Sequence, residues 1–219
     1  MSERTKVIMY KIDPNKPVIA LTFDDGPNTG TTCEVLDILE KYMVRASFFV
    51  VGNNITPETE GVIKRAYDLG CEINNHSKTH SVMPDLTSSE IMEETAYVSE
   101  QVKRITGKDT VFFRPPYIAV NDIMLENIDM PFIAGIGCND WEEEVTAEMR
   151  ASRIKEQLHD GVIILMHDAE GNSKTVKALD MLIPYILEKG YQFATVSELF
   201  EAKGVEIRGD DVTLYNEVL

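Results

Sequence analysis

Seven apolar, β-branched runs of strand length recur along this chain with helical patterns between them, and they restrict the fold more than any other feature. They lie at Val18–Phe23, Ala46–Val51, Cys71–Asn75, Thr110–Arg114, Phe132–Ile136, Gly161–His167 and Tyr191–Val196. Most are near-continuous rather than alternating, which marks strands buried on both faces, as in a parallel sheet. The intervening patterns predict helices over Thr31–Met43, Pro57–Leu69 with Thr56 as N-cap and Gly70 as stop, Ser88–Ile105, Ala147–His159 and Ser173–Lys189. Thr87 and Glu90 have the spacing of a capping box. Shorter helices are expected after Asn121 and over Ser197–Ala202, and Gly204–Leu219 reads as a terminal extension with a possible hairpin.

Strands alternating with helices imply βα units, in an open sheet or a closed barrel. The polar clusters bear on the choice. Phe23-Asp24-Asp25-Gly26, Asn75-His76, Arg114-Pro115-Pro116-Tyr117, Asn139-Asp140-Trp141 and Met166-His167-Asp168 each stand at or just beyond the carboxyl end of a strand. Ionisable groups from five strands at one end suit a barrel mouth better than the single crevice of an open sheet. The expected fold is α/β, a distorted (β/α) barrel of seven strands, with 1–219 as one domain and its core at about 18–200.

Composition excludes some functions. The net charge of −16 argues against phosphate-backbone binding and so against a nucleic-acid partner. No apolar run is long enough to span a membrane. The opening MSERTKVIMYKID lacks the apolar segment of a signal peptide, so the chain either stays in the cell or is a catalytic piece separated from its export signal or anchor. Cys33, Cys71 and Cys138 form no CxxC pair and read as buried thiols.

His76 and His80 stand four apart, a spacing that on a helix or helical turn presents both rings to one cation. With one carboxylate from Asp24-Asp25 they make a three-ligand set with open positions, as hydrolytic metal sites need. Consecutive residues at a strand end point in different directions, so one aspartate can face the metal while its neighbour faces a water. Arg114, after Val111-Phe112-Phe113, needs a carboxylate partner if buried, and the aspartate left free of the metal is a candidate. Two prolines leave the Tyr117 amide as the next donor, able to hold an oxyanion. His167 closes an apolar run, and Asp140 could raise its pKa and make it a general acid. Trp141 could wall a pocket, stack on a sugar or simply pack.

With these residues in place, the chain resembles the polysaccharide deacetylases of the NodB-homology type, carbohydrate esterase family 4. Thr22-Phe23-Asp24-Asp25-Gly26-Pro27, His76-Ser77-Lys78-Thr79-His80, Phe113-Arg114-Pro115-Pro116-Tyr117, Asp140-Trp141 and Leu165-Met166-His167 match its five motifs in order, between about Val18 and Leu199. The resemblance implies a distorted seven-stranded barrel. It implies Asp24 as general base, Asp25, His76 and His80 as metal ligands, Arg114 holding Asp24, the Tyr117 amide at the oxyanion, and His167 tuned by Asp140 as general acid. It places Leu165 and Trp141 around the acetyl methyl. The implied cofactor is a divalent metal, usually Zn2+, with Co2+ or other ions able to substitute. The implied partner is a polysaccharide or oligosaccharide: N-acetylglucosamine polymers (peptidoglycan, chitin, chitooligosaccharides) or O-acetylated xylan. Family members are often exported or surface-attached.

The expected activity is metal-dependent N-deacetylation of N-acetylglucosamine residues. The alternatives are O-deacetylation of xylan and a carbohydrate-binding protein without catalysis. Two positions depart from the family's usual pattern. Ile118 follows Tyr117 where glycine is common, and Gly137 stands where a second aspartate often precedes the Asp-Trp pair. On this reading the tuning of His167 rests on Asp140 alone.

Overall fold

The computed structural model describes residues 11–219; the opening stretch read above for a signal peptide lies, as far as residue 10, outside them. Strand β1 (Val18–Asp24) is the hub. It pairs in parallel with β2 (Ser47–Val50), β5 (Ile163–His167) and β6 (Gln192–Ala194), and β2 pairs with β3 (Glu72–Asn75). From β3 the parallel contacts continue through a single bridge at Phe113 to Phe132 in β4 (Phe132–Ile133), and a bridge from Ile136 to Ile164 returns to β5. The fold is α/β, a distorted barrel. Its helices are α1 (Thr31–Tyr42), α2 (Glu60–Asp68), α3 (Ser88–Thr106), α4 (Asp122–Asn127), α5 (Ala147–Gln157), α6 (Ser173–Glu188) and α7 (Val196–Lys203).

Side-chain alternation along β1 places the site. Ile19, Leu21 and Phe23 join one core cluster with Leu36, Leu39, Leu179 and Ile183 of α1 and α6. Val18 and Ala20 join a second with Phe49, Phe112, Ile133 and Ile163 inside the barrel. Continuing the period of two, Thr22 and Asp24 face inward as well. The same alternation turns Ile163, Leu165 and His167 of β5 inward. The Thr22 hydroxyl donates to the Ile164 carbonyl at 2.7 Å, and Asp24 is in register with His167. Two functional groups are thereby set by one ladder.

Three expectations are corrected. The strand over Thr110–Arg114 shrinks to the Phe113 bridge, because the Asn74 side chain accepts the Val111 and Phe112 amides, both at 3.1 Å, in place of a backbone ladder. Helix α2 starts at Glu60 rather than Pro57, since the Thr56 carbonyl first closes a turn onto the Thr59 and Glu60 amides. The C-terminal extension forms no hairpin: β7 (Leu214–Tyr215) lies parallel to β4, and Glu217 bridges Val162. Gly161, with φ +91°, permits this docking, because a side chain there would overlap the Val218 carbonyl. The Thr87–Glu90 capping box forms at the start of α3 as expected. All three cysteines are free thiols. Among the described residues no helix is long and apolar enough to cross a membrane.

Candidate active site

Beyond Asp24 the backbone turns sharply. Asp25 has φ 76°, in the left-handed region that a β-carbon disfavours. Ser77 and His80, at φ 64° and 57°, do the same in the loop after β3. His76 and His80 therefore sit on a looped segment and not on the helical turn that their spacing suggests. The two excursions nevertheless bring three ligand atoms together. One atom each of Asp25, His76 and His80 lies within 4.8 Å of the others. The Asp25 carboxylate is 3.6 Å from His76 Nε2 and 3.4 Å from His80 Nε2. A tetrahedral cation with bonds near 2.05 Å spaces its ligands by about 3.3 Å, so the set needs little adjustment to hold one.

The donor chemistry fits as well. His76 Nδ1 meets the Arg114 carbonyl at 2.7 Å, which puts its proton there and leaves the Nε2 lone pair toward the cluster. Burial holds the His76 pKa below its ordinary value, against the pull of Asp24 and Asp25, so the ring is neutral as ligation requires.

Asp24 is buried beside this cluster and belongs to a different set of partners. Arg114 Nη1 donates to it at 2.6 Å. That guanidinium, itself 0% exposed, lies 4.1 Å from the centre of the Phe49 ring. Burial pushes the Asp24 pKa up, but the Arg114 charge and hydrogen bond, with His167 and, where it is protonated, His76, outweigh it and hold the group below the usual carboxylate range. An ionised carboxylate that is 3.6 Å from His76 Nε2, yet fastened from behind, is placed to take a proton.

His167 stands across the mouth. Its Nδ1 meets Asp140 Oδ1 at 2.7 Å, and its amide donates to Asp140 Oδ2 at 2.8 Å. Thr175 supplies a third donor to Asp140 at 2.7 Å. Burial pushes the imidazole pKa down; the Asp140 hydrogen bond and charge, with Asp24 and Asp25, overcome this and raise it to about 9. With no second carboxylate at Gly137, the tuning rests on Asp140 together with Asp24 and Asp25, not on Asp140 alone.

Trp141 is 61% exposed with its ring edge-on to His167, and Tyr117 is 67% exposed with its ring edge-on to His80. Two aromatic rims flank an open mouth. The Tyr117 amide donates no hydrogen bond among the described residues. Leu165 is buried two residues before His167. One groove of about 320 Å3 runs past Asp25, Trp141, His167 and Lys174, and another of about 290 Å3 runs past Asp25, Asn28, Asn54 and Glu58. Glu170 lines both. A larger cavity, about 450 Å3, opens beside Tyr67, Glu72 and Glu198 and contains none of these groups. Size there does not mark the chemistry.

Residues 11–130 match the polysaccharide deacetylase family, more than half of the chain. The chain belongs to that family. It is 48% identical over 191 residues to a bifunctional xylanase/deacetylase of Pseudobutyrivibrio xylanivorans, covering 87% of this chain and 32% of that protein. It is 35% identical over 193 residues to the peptidoglycan-N-acetylmuramic acid deacetylase PdaC of Bacillus subtilis, covering 88% of this chain and 40% of that protein. The chain thus spans about a third to two fifths of these relatives' length. A family 4 acetyl xylan esterase from Clostridium thermocellum, solved with a cobalt ion, superposes with a TM-score of 0.90 at 39% identity, covering 92% of this chain and 98% of that one.

The structure brings Asp24, Asp25, His76, His80, Arg114, Asp140 and His167 into one site, with Tyr117 and Trp141 at its rim. Sequence reasoning missed Asp168. This carboxylate is fully buried, accepts from the Gly26 amide at 3.1 Å and the Thr32 hydroxyl at 2.5 Å, and is pushed by burial to a pKa of about 7. The signal was available: Asp168 follows a buried strand just as Asp24-Asp25 does.

Proposed function

We propose that this chain is a metal-dependent polysaccharide deacetylase, hydrolysing acetyl groups on glycan chains. The observation that carries the reading is the division of labour between adjacent aspartates, Asp25 with the two histidines and Asp24 with Arg114. Asp25, His76 and His80 would hold the cation. When bound, a divalent ion supplies Lewis-acid polarisation of the acetyl carbonyl and lowers the pKa of a water from about 15.7 toward 7. Asp24 takes the proton of the attacking water, and Arg114 keeps that carboxylate oriented and ionised. The Tyr117 amide donates to the oxygen on which negative charge develops. His167, protonated at neutral pH, delivers a proton to the departing atom. Acetate and a free hydroxyl or amine result.

Two bonds compete for this site. O-acetyl esters of xylan are favoured by the likeness to the xylanase/deacetylase and to the acetyl xylan esterase. N-acetyl groups of N-acetylglucosamine units, the expectation from sequence, are favoured by the His167–Asp140 pair, since an amine leaves only when protonated. Zn2+ and Co2+ both suit the ligand set. Acetate release from acetylxylan, chitooligosaccharide and peptidoglycan, with chelator and then with added Zn2+ or Co2+, tests the reading. Chelator-sensitive release from at least one is expected; none from any sinks it. Replacing His167 by alanine should spare the ester far more than the amide.

A further inference from the structure

Asp25 holds its carboxylate toward two histidines from a backbone conformation that asparagine, aspartate and glycine tolerate and other residues resist. Such a conformation persists only where the surroundings over-determine it. Two side chains do so here. The Asn54 amide donates to the Asp25 carbonyl at 2.7 Å, and the Gly26 amide donates to Asp168 Oδ1 at 3.1 Å. These are the two ends of one peptide unit, so its plane is fixed from both sides.

Asp168 is fastened in turn. Its Oδ2 accepts from the Thr32 hydroxyl at 2.5 Å, its amide donates to the Asp24 carbonyl at 3.0 Å, and its carbonyl accepts from Asn28 Nδ2 at 2.6 Å. A β-carbon on Gly26 would overlap this carboxylate, so the fit is close as well as bonded. None of the proton transfers above uses Asp168, and it touches no part of either groove around His167 or Glu58.

We propose that Asp168 is a positioning residue for the cation site: by accepting the Gly26 amide proton and the Thr32 hydroxyl, it fixes the Asp25–Gly26 peptide in the orientation that turns the Asp25 carboxylate toward His76 and His80. The inference rests on the metal-site reading above.

Co2+ affinity measured by visible absorption and calorimetry tests it without reference to turnover. Asp168→Ala should weaken Co2+ binding about 10–100-fold, as loss of a group orienting a ligand does. Asp168→Asn should stay within about threefold of the parent, since its carboxamide oxygen still accepts the amide proton. Ile154→Ala, buried in α5 and lining neither groove, should lose stability and keep its Co2+ affinity. If Asp168→Ala does not fold, Asp168→Ser takes its place, its hydroxyl being too short to reach the same amide. Parental affinity in the alanine or serine variant overturns the proposal, as does an asparagine variant weakened as much as the alanine one. A parent protein that binds no Co2+ overturns the metal-site reading itself, a separate and recognisable failure.

Discussion

Asp140 gathers three donors and gives His167 its charge. Replacing it by asparagine should drop the imidazole pKa from about 9, because burial is then opposed only by the charges of Asp24 and Asp25. Titration of the ring by NMR in the metal-free protein checks this. The linkage has a definite sign. The folded value lies above the unfolded one near 6.5, so the contribution to stability is complete below about pH 6.5 and fades as pH rises toward 9. Urea unfolding should show that decline in the parent and a flattened one in Asp140→Asn. A cation on Asp25 offsets the pull of both neighbouring aspartates, so the loaded protein should titrate lower. Asp24→Asn should cost about 10²- to 10⁴-fold in kcat while lowering Co2+ affinity far less than Asp25→Asn does, since one Asp24 oxygen is held by Arg114 and only the other stands near the trio, 3.6 Å from His76 Nε2. A parallel loss of metal would contradict that separation. These residues were legible because each ends an apolar run where a charge is out of place. Asp168 follows an apolar run too, but its role was not legible, because its partners Gly26 and Thr32 lie 142 and 136 positions away.

The local elements explain what pattern reading could and could not reach. Continuous apolar runs gave β1, β2, β3 and β5 nearly to their ends, since burial on both faces leaves a strong signal. The run before Arg114 carries the same signal but pairs at one residue only, because a side chain, Asn74, took the place of a neighbouring backbone. Residue composition does not reveal such substitutions. The turn at Pro116–Ile118 shows the reverse case, a departure visible in sequence whose meaning needed geometry. Tyr117 and Ile118 both have positive φ, 59° and 55°. For a β-branched residue this conformation costs about 1–2 kcal/mol, and glycine escapes it. Ile118→Gly should therefore hold or raise stability, by up to about 1 kcal/mol after the added freedom of the unfolded chain is counted. Urea denaturation reads the difference; a loss greater than that would show that Ile118 packing outweighs its backbone strain.

Across the whole molecule, the proposed ligands come from the ends of β1 and β3, so a bound cation ties together segments separated by about fifty residues. Saturating Co2+ should raise Tm by mass action, by the equivalent of about 2.7 kcal/mol at a hundred times Kd, and chelator should reverse it. A Tm indifferent to Co2+ would mean that the folded state gains nothing from the ion. The α/β class was foreseeable from strand and helix alternation and the barrel from polar clusters at five strand ends, whereas the return of the C-terminal segment onto β4 was not, because Leu214–Tyr215 is too short to carry a periodic signal. One property of the ladder reaches further. Asp24 and His167 occupy the same rung between β1 and β5. The spacing of the proposed proton acceptor and proton donor is thus written into sheet hydrogen bonding, beneath every connecting segment at the mouth. Shortening one of those segments should therefore leave the Asp24–His167 register unchanged.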